Sequence, residues 1–142
     1  MEVKHMLIPY AGTPDDEELL RIACRIAKAI KAKVSIAYVL EVPMALPIDA
    51  ENLPGVDEAN EILDKAEEVA LSTGVQAETD LLQGRDAGHA IVEEAIQRDV
   101  DLIFMVAHER TRLGMLTLGR TVEYILKKSP VPVWISRSSV QL

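Results

Sequence analysis

Asp101-Leu102-Ile103-Phe104-Met105-Val106-Ala107 decides the fold. The run is apolar throughout after its opening acid, so it reads as a strand that needs cover on both faces. Strands of that kind occupy the middle of parallel sheets flanked by helices. A polar loop follows, then Gly119, an amphipathic stretch to Lys128 and a second apolar run from Val131 to Ile135. A buried strand feeding a loop that opens a helix is where α/β proteins hold phosphate. Free backbone N–H groups and the positive end of the helix face the anion there.

The same alternation extends outward through the chain. Val3 to Tyr10 reads as a first strand, apolar enough to lie centrally beside the Asp101–Ala107 strand. Thr13-Pro14-Asp15-Asp16-Glu17 signals a helix start: a capping hydroxyl, proline in the first turn, then acids at the positive end. Leu19, Leu20, Ile22, Ala23, Ile26, Ala27 and Ile30 give that helix its apolar face. Lys33 to Leu40 is the second strand, and Glu41 to Gly55, with Pro43, Pro47 and Pro54, a long surface linker. Val56 to Ser72 is helical, with Ile62, Leu63, Ala66, Val69 and Ala70 inward and Gly74 ending it. Val75 to Leu82 alternates as a half-exposed edge strand should. Gly84-Arg85-Asp86 turns into a helix through Arg98. The last helix spans about Gly119 to Lys128, and Val131 to Ser136 forms the fifth strand. The prediction is an α/β fold: one doubly wound parallel sheet of five strands with helices on both faces.

Several residues along this frame carry a resemblance. Asp101 to Met105, Thr111, Leu113, Gly114, Leu116, Leu118, Gly119, Val122, Glu123 and Ser129-Pro130-Val131-Pro132-Val133 together resemble the universal stress protein family, over essentially the whole chain. The resemblance implies the strand order 3-2-1-4-5. It also implies a nucleotide site marked by glycine, two residues, a second glycine, nine residues, then glycine and a hydroxyl residue. Here the first glycine position is Val106, the second is Glu109, and Arg120 stands at the hydroxyl; only Gly119 remains. Glycine admits close backbone approach and φ > 0, whereas a β-branched valine resists both. Glu109 sets a carboxylate where a triphosphate carries its charge. The aspartate that the family commonly places at the end of the first strand is Ala11 here. The resemblance is therefore to a degenerate member that does not bind ATP and carries no cofactor.

A ligand in such a fold sits at the carboxyl ends of strands one and four, bounded here by Pro9 to Thr13, Val39, Leu40 and Val106 to Thr121. An alternative keeps that crevice in use for ATP, ADP or AMP. Pro9, Ala11, Val39, Arg110, Gly119, Arg120 and Thr121 would then bind the nucleotide, with Arg110, Arg112 and Arg120 as a basic island gripping phosphate. Against it stands the plainer reading of those arginines as solvated or paired with Glu109 and other acids. His5, His89 and His108 do not gather, so no metal site is expected. The six serines lack a nucleophile-elbow context, and Asp57, Glu58, Glu61, Asp64, Glu67 and Glu68 form a helix face rather than an acid/base pair. The protein is expected not to be an enzyme.

Composition sets outer bounds. The chain has 142 residues, expected as one domain over 1–142. With 49% hydrophobic but only 4% aromatic residues, the core must be built of Val, Ile, Leu, Ala and Met. A formal charge of −8 argues against nucleic acid and anionic membrane as partners. The lone Cys24 excludes an internal disulfide and, set among Ile22, Ala23, Ile26 and Ala27, reads as a buried thiol. A polar start and the absence of a membrane-length apolar run give a cytoplasmic expectation.

The last strand holds the only tryptophan, Trp134. An apolar edge strand needs a cover. In the family this strand commonly pairs two protomers, which implies a homodimer through Val131, Val133, Trp134 and Ile135; the other possibility is Trp134 as plain core against the last helix. The leading expectation is a dimeric regulatory or interaction module that binds partner proteins. The rivals are the nucleotide-responsive switch and a regulatory domain detached from a larger chain.

Overall fold

The computed structural model describes residues 1–107, 110–112 and 115–137, the segments 110–112 and 115–117 as backbone only. Its elements run β1 (His5–Pro9), α1 (Pro14–Ile30), β2 (Lys33–Glu41), α2 (Val56–Ser72), β3 (Glu78–Gly84), α3 (Ala87–Gln97), β4 (Leu102–Ala107), β5 (Arg110–Arg112), β6 (Met115–Thr117), α4 (Arg120–Lys128) and β7 (Val133–Arg137). The main sheet has the order β3-β2-β1-β4-β7. Every pairing within it is parallel, so with β7 as fifth strand the order is the expected 3-2-1-4-5.

The apolar β4 run explains the centre of the sheet. All six of its residues are buried, and they alternate between two cores. Leu102, Phe104 and Val106 join Met6, Ile8, Val34 and Ile36 under α1 and α2. Ile103, Met105 and Ala107 join Leu7 and Ala37 under α3 and α4. Each fully buried Leu or Ile side chain contributes about 1.5–3 kcal/mol, so the two-sided burial of β1 and β4 dominates the stabilisation of the sheet. Their register pairs Met6 with Leu102 and Leu7 with Ile103.

The start of α1 is fixed by its own sequence. The Asp16 backbone N–H donates to Thr13 Oγ1 at 3.1 Å, while the Asp16 carboxylate reaches back to the Thr13 N–H at 3.3 Å, a reciprocal capping box. Gly74, at φ +87, takes the left-handed position just past α2.

The larger departures from the expected boundaries are four. β1 begins at His5 rather than Val3, because the Asp101 carboxylate takes the N–H groups of Lys4 (2.7 Å) and His5 (3.0 Å) before the ladder starts. β3 begins at Glu78 rather than Val75. Val75 and Ala77 are buried, but they approach the sheet in a turn where the Val75 N–H returns to the Ala70 carbonyl. The loop after β4 contains the antiparallel β5–β6 hairpin, which polar composition had hidden. The final strand begins at Val133, not Val131. Ser129 Oγ holds both the N–H and the carbonyl of Val131 in a turn, and Pro132 contributes only its carbonyl, to the Ile103 N–H.

Candidate functional site

A cleft of about 1050 Å³ opens at the carboxyl ends of β1 and β4, where the strand order reverses. Pro9, Ala11, Val39, Gly119, Arg120 and Thr121 all line it. Arg110 lies on the hairpin backbone and its side chain is outside the described residues, as are that of Arg112, and His108 and Glu109 altogether.

Three walls define the cleft. Met105 and Val106 form its floor beside Ala37, and Ile91 and Ala87 of α3 close one flank. The opposite side carries Tyr10, inside the expected Pro9–Thr13 boundary, and Tyr38, which the sequence had not singled out. Tyr10 is 6% exposed, and burial first, then the nearby Glu17 and Asp16, push its phenol up to about 12. A phenol held there stays protonated and is no general base.

Val106 lines the cleft near the end of β4. Its side chain is 7% exposed and packs with Ile8 and Leu102 in the core under α1 and α2. Space that a glycine would leave open is filled by two methyl groups. Gly119 still takes φ +91 and caps α4 without a side-chain hydrogen bond, and nothing lies within 4 Å of where a Cβ would project. Among the described residues no side chain caps the first turn of α4. Arg120 follows with its side chain 81% exposed and 3.8 Å from Asp86 Oδ2, an ion pair of little energetic weight at that exposure.

A carboxylate stands near the missing aspartate of the first strand. Asp16 is 5% exposed, lines the cleft and accepts from the Ala11 N–H at 2.9 Å as well as from Thr13. Both bonds fall on Oδ2. The signal was present in the sequence as the helix-start acids, but spacing alone does not say that the second of them, Asp16, turns back to the end of β1.

Among the described residues, no group of three or more His, Cys, Asp or Glu side chains could hold a metal ion, and no helix is long and apolar enough to cross a membrane. His5 bonds Ser35 Oγ at 2.7 Å near the opposite end of the sheet, and His89 lies 3.2 Å from the Tyr124 hydroxyl on the α3 surface. Cys24 is fully buried, and burial pushes its thiol up against the opposing pull of a hydrogen bond with Thr73. A raised thiol in an apolar core is a poor nucleophile.

The four residues expected at a protomer seam diverge. Val131, Val133 and Ile135 are partly buried against the α3–α4 layer. Trp134 lies on the other face, edge-on to Phe104 with ring centroids 5.6 Å apart, and remains 38% exposed. It is not a core residue.

Residues 2–137 match the model of the universal stress protein family. A universal stress protein of Methanocaldococcus jannaschii is 31% identical over 138 residues, covering 93% of this chain and 81% of the relative. Among solved structures, a universal stress protein from Archaeoglobus fulgidus superposes with a TM-score of 0.78 at 22% identity, covering 93% of this chain and 97% of its own. The structure of the universal stress protein from Archaeoglobus fulgidus in complex with dAMP gives 0.73 at 20% identity, covering 95% and 98%. At such identities the structural likeness speaks for the fold alone. The family match and the Methanocaldococcus relative go further: this chain belongs to the universal stress protein family.

Proposed function

We propose that this chain is a non-catalytic, homodimeric interaction module of the universal stress protein family whose crevice does not take ATP. The observation that carries the reading is Val106, buried in the core at the place where phosphate would need open backbone. Arg120 at the hydroxyl position and Ala11 at the end of β1 support it. Loss of the phosphate contacts leaves dimerisation and partner binding as the working surfaces, in one domain over 1–142 in the cytoplasm. The dimer pairs β7 with its own copy about a two-fold axis, which closes the β7 edge of both protomers at once. The exposed Trp134 anchors the seam. Light scattering tests it: wild type should run as a dimer at micromolar concentration and Trp134→Glu as a monomer. A monomeric wild type, or a dimer unmoved by Trp134→Glu, sinks the interface.

A second reading has its own support in the size of the cleft and in a relative solved with dAMP, a ligand without a triphosphate. In it Arg110, Arg112 and Arg120 hold a nucleotide phosphate in place of the lost glycines. The variant Val106→Gly/Glu109→Gly/Arg120→Ser separates the two: ATP binding gained only in the variant supports the degenerate site, whereas nucleotide binding by wild type that fails on Arg120→Ser supports the second reading.

A further inference from the structure

At the end of the sheet away from the cleft, one guanidinium meets three carboxylates. Arg98, which caps the C-terminus of α3, places Nη1 2.7 Å from Glu78 Oε2, Nη2 2.5 Å from Asp80 Oδ2 and Nε 3.3 Å from Glu94 Oε2. Glu78 and Asp80 belong to the edge strand β3, and Glu94 to α3 one turn before Arg98. The two inner carboxylates are the anomaly. Asp80 Oδ2 and Glu94 Oε2 are buried and have no donor besides the one guanidinium that they share. The Glu94 side chain is only 9% exposed.

A buried carboxylate oxygen short of donors is expensive, and two side by side add repulsion. One positive charge cannot balance three negative ones in such a place. A single proton resolves the conflict, because a carboxyl O–H donates to the neighbouring carboxylate and leaves Arg98 balancing fewer charges. We propose that Asp80 and Glu94 share one proton beneath Arg98, and that this proton latches the edge strand β3 onto α3 and releases it as pH rises. Burial first, then Asp80 beside it, push the Glu94 carboxyl above its ordinary range, against the opposing pull of Arg98.

The surrounding charges are few. Glu78 and Asp80 face the pair from β3, and Arg98 from α3. Beyond them His5 of β1 lies near Glu78 and Arg98, with Lys33 of β2 also beside His5 and Asp101 capping the start of β1. His5 titrates in the opposite sense, so a comparison must leave it unchanged in both proteins. On losing its proton to solvent the pair returns to mutual repulsion, and the strand with only one sheet neighbour is the element free to yield.

The test compares thermal midpoints of wild type and Glu94→Gln from pH 4.5 to 8. The amide keeps a donor for Asp80 at every pH, so its advantage over wild type should widen by several degrees toward pH 8. Parallel curves overturn the latch. Two measurements on wild type hold even where the variant fails to fold. Carboxyl-carbon NMR should show Glu94 titrating well above the ordinary glutamate range; a midpoint within that range refutes the shared proton. Amide exchange at Glu78–Leu82, corrected for intrinsic rate, should accelerate with pH by tenfold or more relative to β1; equal acceleration refutes release of the strand.

Discussion

Asp16→Ala removes the carboxylate that ties the loop after β1 to the first turn of α1. In the folded protein it accepts from the backbone N–H groups of Ala11 (2.9 Å) and Thr13 (3.3 Å), and the residue is 5% exposed. Losing a cap costs about 1 kcal/mol. Hydrogen bonds to a charged group are worth about 1.5–3 kcal/mol each, but Ala11 is exposed and Thr13 half-exposed, so water recovers part of the loss. The sum is about 2 kcal/mol. At about 2.1 cal/mol/K of unfolding entropy per residue over this chain, that lowers the melting midpoint by about 7 °C. Urea unfolding at neutral pH measures it directly, with an unchanged slope and an earlier midpoint. Asp16→Asn keeps an acceptor and should lose about half as much. Thr13→Ala should cost about 1 kcal/mol, and the double variant less than the sum, because both changes break one box. An Asp16→Ala protein within about 0.5 kcal/mol of wild type would refute the assignment of this carboxylate as the tie.

Gly88→Val should destabilise by about 2 kcal/mol in the same urea assay, since even a Cβ there would stand 3.0 Å from Tyr124 Cβ and Cδ1 at the α3–α4 crossing, and further methyls worsen the clash. His5 gives a pH signature: burial lowers its pKa from the ordinary 6.5, so the folded state binds the proton more weakly than the unfolded chain. Stability must then fall as pH drops through the window below 6.5, and His5→Asn should flatten that slope in a series of melts at stepped pH.

How legible the protein was in its sequence depended on the range of the forces involved. The β4 run and its partner β1 announced central parallel strands because burial on both faces leaves no polar position to disguise. Thr13-Pro14 and Gly74 marked helix ends through local backbone chemistry, and Val56–Ser72 matches α2 at both ends. The register of β3 stayed hidden, since Val75 and Ala77 are buried without being paired. So did the hairpin at 110–117, which is too short to show a period. At the cleft, Pro9, Ala11, Val39, Gly119, Arg120 and Thr121 were brought together as the topology required. Asp16 and Tyr38 were missed, because their place in the cleft follows from side-chain direction. The Asp80–Glu94–Arg98 cluster was invisible for the same reason: it joins residues of two elements whose relative height no spacing encodes.

The crevice separates an interaction module from a nucleotide switch. Calorimetric titration of magnesium ATP into the wild-type protein, carried to millimolar nucleotide, addresses it most directly. The proposed function predicts a trace with only heat of dilution, Val106 being buried beside the cleft and Ala11 and Arg120 lining it. A saturable isotherm with one site per chain, abolished by Arg120→Ser, would contradict the central claim and hand the cleft to the nucleotide.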